Sequence, residues 1–407
     1  MNSNTISSKC FFKMDNKIQN YDWGSRTAIH DLFGFASEAQ QPQAEVWMGT
    51  HPNGCSIVKQ GSTDASSTMV SLSELIKQDP SAFLSQSTAD AFGDLPFLFK
   101  ILAADKALSI QVHPNKQDAE IGYAKEQQLG VPLNAFNRNY KDANHKPELV
   151  YALTDYQAMN GFRPFDEIIA EFRLCDIPEI NGYLEQLERN PNQDGLCQFF
   201  VEILSMEEAR KANAVDHLLS YAAANLVRPV CELILDLAAQ YPNDVGLFAP
   251  LLLNVITLKP GEAMFLSART PHAYIKGTGL EIMANSDNVL RAGLTPKHMD
   301  VEELVKCTDF IPKPMNTLLT KAEIKGCEHY FPVPVQDFKF SVFQEPKDQQ
   351  VEMSSAEILM PIDADVTLLA KSGETLVLGK GQSAFIPAYV GSYTIRCEGR
   401  VARAFNG

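Results

Sequence analysis

The chain has 407 residues, of which 45% are hydrophobic and 21% charged, a composition typical of globular proteins with two or three domains. Its net charge of −15, without a clustered run of Lys and Arg, argues against a nucleic-acid surface, because binding to a phosphate backbone needs such clusters. An anionic ligand would have to be held by a local group of cations acting against the overall charge.

The eight cysteines are scattered and form no C-x-x-C pair, which argues against a cysteine zinc site and fits a reducing compartment. The N-terminal stretch MNSNTISSKCFFKMDNK lacks the apolar core of a signal peptide. The longest apolar run, 245–258, is too short for a membrane span and contains Pro250 and Asn254. We expect a cytoplasmic protein that binds neither membrane nor nucleic acid, and a monomer.

Residues 1–160 consist mostly of short apolar runs broken by Gly, Pro and Asn, which predicts strands, with a helical segment at 71–84. From 165 to 253 the period changes to that of helices. Apolar residues after Pro229 recur at i, i+3, i+4, i+7 and i+8, beginning at Val230. Residues 254–407 return to strand patterns. The sequence therefore predicts a mainly β protein with a helical insertion.

This alternation predicts three domains. The first is a discontinuous β domain of residues 1–160 and 254–320, and residues 161–253 form the inserted helical domain. Residues 321–407 form a C-terminal β domain.

One internal similarity links the two β regions. GEAMFLSARTPHAY (261–274) aligns without gaps with GQSAFIPAYVGSYT (381–394), so that Phe265 matches Phe385. The alignment places Ser392 at the position of His272. Coincidence and duplication both explain so short a match; if it is a duplication, the second copy has lost a polar ligand and the terminal domain is structural.

Two stretches carry residues that could bind a metal. In SIQVHPNK (109–116), Gln111 and His113 are two positions apart and therefore share one face of a strand. The stretch KPGEAMFLSARTPHAY, which contains His272, resembles the second motif of the cupin superfamily, in which a strand histidine of a small β-barrel binds a metal. Gln111 and His113 would stand in the first motif, with Glu148 in NHKPEL as its acidic residue.

Imidazole, carboxylate and amide-oxygen ligands together suit zinc or another first-row metal with positions open to water or substrate. Simpler explanations exist for each residue. A Gln-x-His pair on a strand also occurs as a hydrogen-bonded pair, and Glu148 beside Lys146 could be a solvated charge. Considered by themselves, these residues leave the metal site and the simpler explanations open.

Six stretches taken together resemble the type I mannose-6-phosphate isomerase family, and they run in order over most of the chain: YDWGS (21–25), AEVWMGTHPNG (44–54), PFLFKILAADKALSIQVHPNK (96–116), NHKPEL (144–149), GFRP (161–164) and TPHAYIKGTGLEIMANSDNVLRAGLTPKHMDVEEL (270–304). The resemblance implies a cupin-type jelly-roll barrel with an inserted α-helical domain and a further, degenerate cupin-like β domain.

The resemblance also implies an activity. The family binds one Zn²⁺ through four ligands, which by position are Gln111, His113, Glu148 and His272. It interconverts mannose 6-phosphate and fructose 6-phosphate: a base removes the C2 proton of the open-chain sugar to give an enediol, and the proton is returned at C1. The implied partner is thus a small sugar phosphate.

Further site residues follow from the same stretches. Arg291 resembles the family's catalytic arginine, whose permanent charge could stabilise an enediolate. The candidates for proton transfer are Lys146, Lys297 and Glu281, with His145 and Asp287 ranked below them. In each case a surface ion pair, a plain surface lysine or a supporting carboxylate is the alternative.

The phosphate is expected to contact Lys100 and Ser109, two residues that match those used by the family around the phosphate. Lys100 could equally be a charge at a sheet edge, and Ser109 a hydroxyl bonded within its own sheet. His51, in the turn GTHPNG, is interpreted as a hydrogen-bonded residue near the pocket rather than a ligand. Trp23 and Trp47 are expected in the core or the pocket wall.

Two other functions compete with the isomerase. An iron-dependent cupin dioxygenase would prefer histidine and carboxylate ligands, so Gln111 counts against it. A non-catalytic cupin that only binds sugar phosphates would have no need of Arg291, Lys146 and Lys297 beside a metal.

Overall fold

The structure, a computed structural model, describes residues 9–37, 41–61 and 68–407. Short strands and helices alternate before the helical insertion: β1 (Phe12–Asp15), β2 (Lys17–Gln19), α1 (Ala28–Phe33), β3 (Glu45–Met48), β4 (Ile57–Gln60), β5 (Thr68–Ser71), α2 (Leu72–Lys77), α3 (Pro80–Leu84), α4 (Gln86–Phe92), β6 (Phe97–Ala104), β7 (Ile110–Val112), α5 (Lys116–Gln128), β8 (Glu148–Ala152) and β9 (Tyr156–Phe162). The sequence pattern predicts the strands and the helical segment at 71–84, but it misses helices α1 and α5.

The middle of the chain is helical: α6 (Phe165–Cys175), α7 (Pro178–Arg189), α8 (Gln193–Leu204), α9 (Glu208–Ala224), α10 (Pro229–Gln240) and, after a 3-10 turn at Val245–Phe248, α11 (Ala249–Leu252). Proline stands at the first position of α7 and α10, where its missing N–H costs no hydrogen bond. The apolar faces of these helices form one core with Ile110, Val112, Ala273 and Ile275. The insertion thus packs on the outer face of β7 and of the strand that begins at His272.

Strands return after the insertion: β10 (Leu253–Leu258), β11 (Ala263–Leu266), β12 (His272–Ala284), β13 (Leu290–Gly293), a short helix α12 (Val301–Lys306) and β14 (Leu319–Thr320). The remaining strands are β15 (Glu323–Lys325), β16 (Glu328–Phe331), β17 (Lys339–Phe343), β18 (Gln349–Glu352), β19 (Glu357–Pro361), β20 (Val366–Ala370), β21 (Thr375–Leu378), β22 (Ser383–Ile386), β23 (Ser392–Cys397) and β24 (Val401–Phe405). The predicted fold class, mainly antiparallel β with a helical insertion, is confirmed.

Strand β12 organises the first barrel, because it pairs with β6, β7, β8 and β9. A register shift between Tyr274 and Lys276 inserts an extra residue into its alternation. Before the shift, Ala273 and Ile275 face the helices; after it, Leu280 and Ile282 face a second apolar core. The bulge therefore lets His272 and Tyr274 at one end and Glu281 at the other face the same barrel interior.

A nine-stranded sheet joins the two ends of the chain, in the order β15-β16-β17-β24-β19-β22-β1-β4-β5. Strand β1 lies between β22 and β4, with Phe12 opposite Phe385. The pairing thus crosses the predicted limits of the first and third domains, and those limits remain a prediction.

The strand pairing also bears on the internal similarity. In the first barrel Leu266 of β11 lies opposite Glu148 of β8, and in the second Ile386 of β22 lies opposite Glu357 of β19. Leu266 and Ile386 are aligned in the sequence match. The neighbouring strands are paired in the same way in the two barrels. Strands β6, β7, β8, β9 and β11 of the first barrel correspond in turn to β17, β18, β19, β20 and β22 of the second. The long strand β12 corresponds to two shorter strands, β23 and β24.

The proposed loss of a ligand at Ser392 needs correction. Tyr393, not Ser392, lies opposite Val351 on the inner face, as His272 lies opposite Gln111 in the first barrel. The Tyr393 hydroxyl donates a hydrogen bond of 2.6 Å to Glu357. The loop before β23 differs from that before β12, and an ungapped alignment misplaces the strand by one residue.

Candidate metal centre

Three predicted ligands converge inside the first barrel. His113 follows β7, and Glu148 and His272 are the first residues of β8 and β12. Their ligand atoms all lie within 4.8 Å of one another, and their side chains are 2–4% exposed. The two carboxylate oxygens of Glu148 lie 3.4 Å from His113 Nε2 and 3.5 Å from His272 Nε2. The three groups thus face one common point.

The hydrogen bonds of the two imidazoles fit a metal at that point. Nδ1 of His113 lies 2.7 Å from the Asn288 carbonyl oxygen, and Nδ1 of His272 lies 2.9 Å from that of Thr270. A carbonyl can only accept, so each Nδ1 carries the proton and each neutral ring presents an Nε2 lone pair. Burial, followed by the charge of Lys146, lowers the pKa of His113 to about 4, which keeps its ring neutral. Two lone pairs and a carboxylate that meet in this way suit a shared metal ion.

Gln111 is brought beside this trio by the strand register. It lies opposite His272 of β12 on one side and opposite Arg291 of β13 on the other. Residues directly opposite one another in antiparallel strands have side chains on the same face. Gln111, His272 and Arg291 therefore form one row, with Arg291 next to the ligands.

Lys146 also touches the centre. Its Nζ lies 3.0 Å from Glu148 Oε1, and the side chain is mostly buried. Burial by itself would raise the pKa of Glu148, but the adjacent ammonium group holds that pKa well below its usual range. The Tyr274 hydroxyl lies 3.5 Å from the other oxygen of the same carboxylate.

Lys100 is not at a sheet edge but is buried deeper in the barrel. Its Nζ lies 2.8 Å from Glu281 and 3.4 Å from Glu45, whose other oxygen accepts a 2.7 Å hydrogen bond from the Trp47 indole. Burial disfavours the lysine charge, but the two carboxylates outweigh it and raise the pKa of Lys100. Burial also raises the pKa of Glu281, although Lys100 opposes this effect.

A group of cations lies on the Arg291 side of the ligands. Burial lowers the pKa of Arg291, and the guanidinium forms no ion pair with any carboxylate in the described part of the chain. Lys297 is largely exposed, but its amine is partly shielded from solvent. This partial burial, then the charges of Arg291 and Lys141, lowers the pKa of Lys297. Ser109, half-buried, lies just before β7, two residues before Gln111. Among the described residues no carboxylate forms an ion pair with these cations, so they could receive an anion.

The residues ranked lower have protein partners of their own. His145 Nε2 lies 2.9 Å from Asp337, and His51 Nε2 lies 3.3 Å from Asp287. The His51 ring also packs edge-on against Trp47. His51 accordingly behaves as the hydrogen-bonded turn residue that the sequence predicts.

Comparison with known proteins places this site in a family. Residues 11–165 match the family model of the type I phosphomannose isomerase catalytic domain, 177–253 its helical insertion domain, and 328–406 the mannose-6-phosphate isomerase cupin domain. Mannose-6-phosphate isomerase of Escherichia coli K12 is 47% identical over 397 residues, which is 97% of this chain and 99% of that protein. The chain belongs to the type I phosphomannose isomerase family.

Other members of the family agree. The mannose-6-phosphate isomerase of Rattus norvegicus is 36% identical over 93% of each chain. The Salmonella typhimurium mannose 6-phosphate isomerase, solved with fructose 6-phosphate and zinc, shares 44% identity and a TM-score of 0.91 over 98% of this chain and 100% of that one. The resemblance found in the sequence is confirmed.

Sequence reasoning missed several residues around this phosphomannose isomerase-type site. Glu45, which pairs with Lys100, could have been found, because it shares a strand face with Trp47 and an acidic residue is unusual in a buried strand. Asn288, whose carbonyl orients His113, gave no signal, since any residue has a carbonyl. Within the described residues no helix is long and apolar enough to cross a bilayer.

Proposed function

We propose that this chain interconverts mannose 6-phosphate and fructose 6-phosphate with one Zn²⁺ held by Gln111, His113, Glu148 and His272. The observation that carries the proposal is the convergence of two carbonyl-oriented imidazoles on a buried carboxylate. A zinc ion bound there would act as a Lewis acid towards the substrate oxygens.

The residues beside the ligands suit proton transfer at C1 and C2. Lys146 suits the role of proton carrier better than Lys297, because its amine is buried against Glu148, whereas Lys297 is exposed. Arg291 would stabilise the negative charge of the enediolate, because it stands in the ligand row and its guanidinium pairs with no carboxylate of the described residues. Glu281 would support Lys100 rather than act as the base.

The cations beyond Arg291 are suited to the phosphate group. We assign Lys297 and Lys141 to that end of the substrate, with Ser109 as a hydroxyl donor. Lys100 is less suited, since its ammonium group is already held by two carboxylates. Lys100 would instead neutralise the buried carboxylates of Glu45 and Glu281.

Replacing Lys297 by Ala should distinguish a phosphate contact from a proton carrier. We expect KM for fructose 6-phosphate to rise about fivefold with kcat almost unchanged, because an exposed ion pair contributes no more than ~1 kcal/mol. Steady-state kinetics at low ionic strength provide the measurement. A fall in kcat of roughly 10²-fold with unchanged KM would instead identify Lys297 as the proton carrier.

The activity itself is tested on purified full-length protein. Elemental analysis should find one zinc per chain, and conversion of mannose 6-phosphate to fructose 6-phosphate should stop after chelation and return when zinc is restored. A zinc-loaded protein that binds fructose 6-phosphate without converting it would support the non-catalytic alternative. Iron content with oxygen consumption would support a dioxygenase.

We also propose that the chain acts as a cytoplasmic monomer. None of the eight cysteines forms a disulfide within the described residues, and five of them are buried, which suits a reducing compartment. Light scattering should give a mass near 45.1 kDa.

A further inference from the structure

Asn160 of β9 lies beside the metal ligands although the proposed reaction assigns it no part. It is directly opposite His272 in the strand pairing. Two and four residues earlier on β9, Ala158 and Tyr156 face the barrel interior with Tyr274, whereas Met159 faces the helices. Alternation along the strand therefore directs the Asn160 side chain into the barrel, next to His272.

The Asn160 side chain is 1% exposed, and its Oδ1 accepts no hydrogen bond from any described residue. A buried acceptor without a partner costs free energy, so such groups in native proteins call for an explanation. Asn160 differs in this respect from Gln111, which is only partly buried and lies on the other side of His272.

Hydrogen bonds from other parts of the chain hold the backbone at Asn160 in place. The Asn254 side-chain nitrogen lies 3.2 Å from the carbonyl oxygens of Asn160 and Gly161, 3.1 Å from that of Phe162 and 3.0 Å from that of Lys313, and its two N–H bonds are shared among them. Gly161 has φ of 69°, and its N–H donates a 2.8 Å hydrogen bond to the Pro271 carbonyl, one residue before His272. The backbone that carries the unpartnered oxygen is therefore fixed relative to His272.

The row of side chains also indicates which end of the substrate lies near Asn160. Across four neighbouring strands the order is Asn160, His272, Gln111 and Arg291. Adjacent strands are about 4.8 Å apart, so Asn160 and Arg291 stand roughly 14 Å apart on opposite sides of the ligands. If the phosphate lies beyond Arg291, by Lys141 and Lys297, the C1–C2 end of the sugar lies beside the ligands, between Arg291 and Asn160.

We propose that Asn160 Oδ1 accepts a hydrogen bond from a hydroxyl group at the C1–C2 end of the open-chain sugar phosphate. The inference rests on the proposed function, since it takes the substrate from there. Asn160 is then a substrate-positioning residue, and a hydroxyl group of the bound sugar donates the hydrogen bond that its Oδ1 lacks in the free protein.

The test compares Asn160→Ala and Asn160→Asp with the unaltered zinc-loaded chain. Calorimetry measures fructose 6-phosphate binding independently of turnover, chelator competition measures zinc affinity, and kinetics give kcat and KM for both sugars. We expect Asn160→Ala to weaken fructose 6-phosphate binding and lower kcat/KM about tenfold, with zinc affinity and thermal midpoint unchanged. Asn160→Asp, which keeps an acceptor oxygen, should restore most of the binding.

Asn406→Ala is the matched control, because Asn406 is also buried with an unpartnered Oδ1 but lies at the end of the chain, just beyond β24. It should leave fructose 6-phosphate binding unchanged. Unaltered binding and kinetics in Asn160→Ala would overturn the proposal, and so would a loss of zinc affinity that accounts for the whole effect. Binding of fructose 6-phosphate without turnover in the unaltered chain would overturn the proposed function. The Asn160 assignment would then be decided by calorimetry alone: weaker binding in Asn160→Ala would support it, and equal binding would overturn it.

Discussion

A Glu148→Gln variant should lose zinc and, with it, nearly all isomerase activity. Glutamine keeps the shape of the side chain but removes the only negative charge among the proposed ligands. Lys146, 3.0 Å away, would then face a neutral amide and repel the ion. Mutating a residue that only hydrogen-bonds to a metal ligand already lowers metal affinity about 10- to 100-fold. Removal of a charged ligand itself should therefore lower zinc affinity by more than about 10²-fold. Chelator competition gives the affinity, and turnover at saturating zinc gives the activity.

The second barrel supplies a control for this experiment. Glu357 occupies the strand position that corresponds to Glu148 and is also fully buried. Glu357→Gln, measured at a temperature at which circular dichroism shows it to be folded, should leave zinc stoichiometry and affinity unchanged, which separates loss of a ligand from loss of any buried carboxylate in a barrel. Normal zinc content and turnover in Glu148→Gln would contradict the ligand assignment.

Glu357→Gln should instead destabilise the protein strongly. In the second barrel Glu357 is paired with the guanidinium of Arg403 and accepts the Tyr393 hydroxyl bond. Removing one partner of a buried ion pair leaves the other charge uncompensated, which costs about 3–5 kcal/mol. Glu328, 3.2 Å from Arg403 and partly exposed, should keep the loss near the lower limit. Urea unfolding of the variant and the unaltered chain gives the difference.

Replacing both members of the pair tests whether the charge is the cause. A Glu357→Leu, Arg403→Met double variant leaves no unpaired charge and should recover most of the lost stability, because apolar residues of similar volume often replace buried ion pairs without cost. If the double variant is as unstable as Glu357→Gln, packing rather than charge explains the loss.

The sequence predicts elements well where the signal is local. The period after Pro229 predicts a helix that the structure places at Pro229–Gln240, and the apolar runs near 97–104 and 148–152 are strands. The metal ligands could be named only by resemblance. Their convergence depends on β12 pairing with both β7 and β8, and strands so distant in sequence leave no local trace of their partners.

Other features could not be predicted for the same reason. The partners of Lys100 come from β3 and β12, which lie about 55 and 181 residues away along the chain. The bulge in β12 reverses which residues face inward, so alternation read from His272 would place Glu281 on the wrong face. In the second barrel, a different loop shifts Tyr393 into the place assigned to Ser392.

The pairing of β1 with β22 constrains how the chain folds during its synthesis. Strand β1 leaves the ribosome early, but its partner Phe385 follows roughly 370 residues later. At 5–20 residues per second, β1 waits on the order of 20–70 s for half of its hydrogen bonds. Until then β4 alone can protect it, and an edge of the growing sheet stays open to other chains. Translation speed and chaperone supply should therefore affect the yield of folded protein.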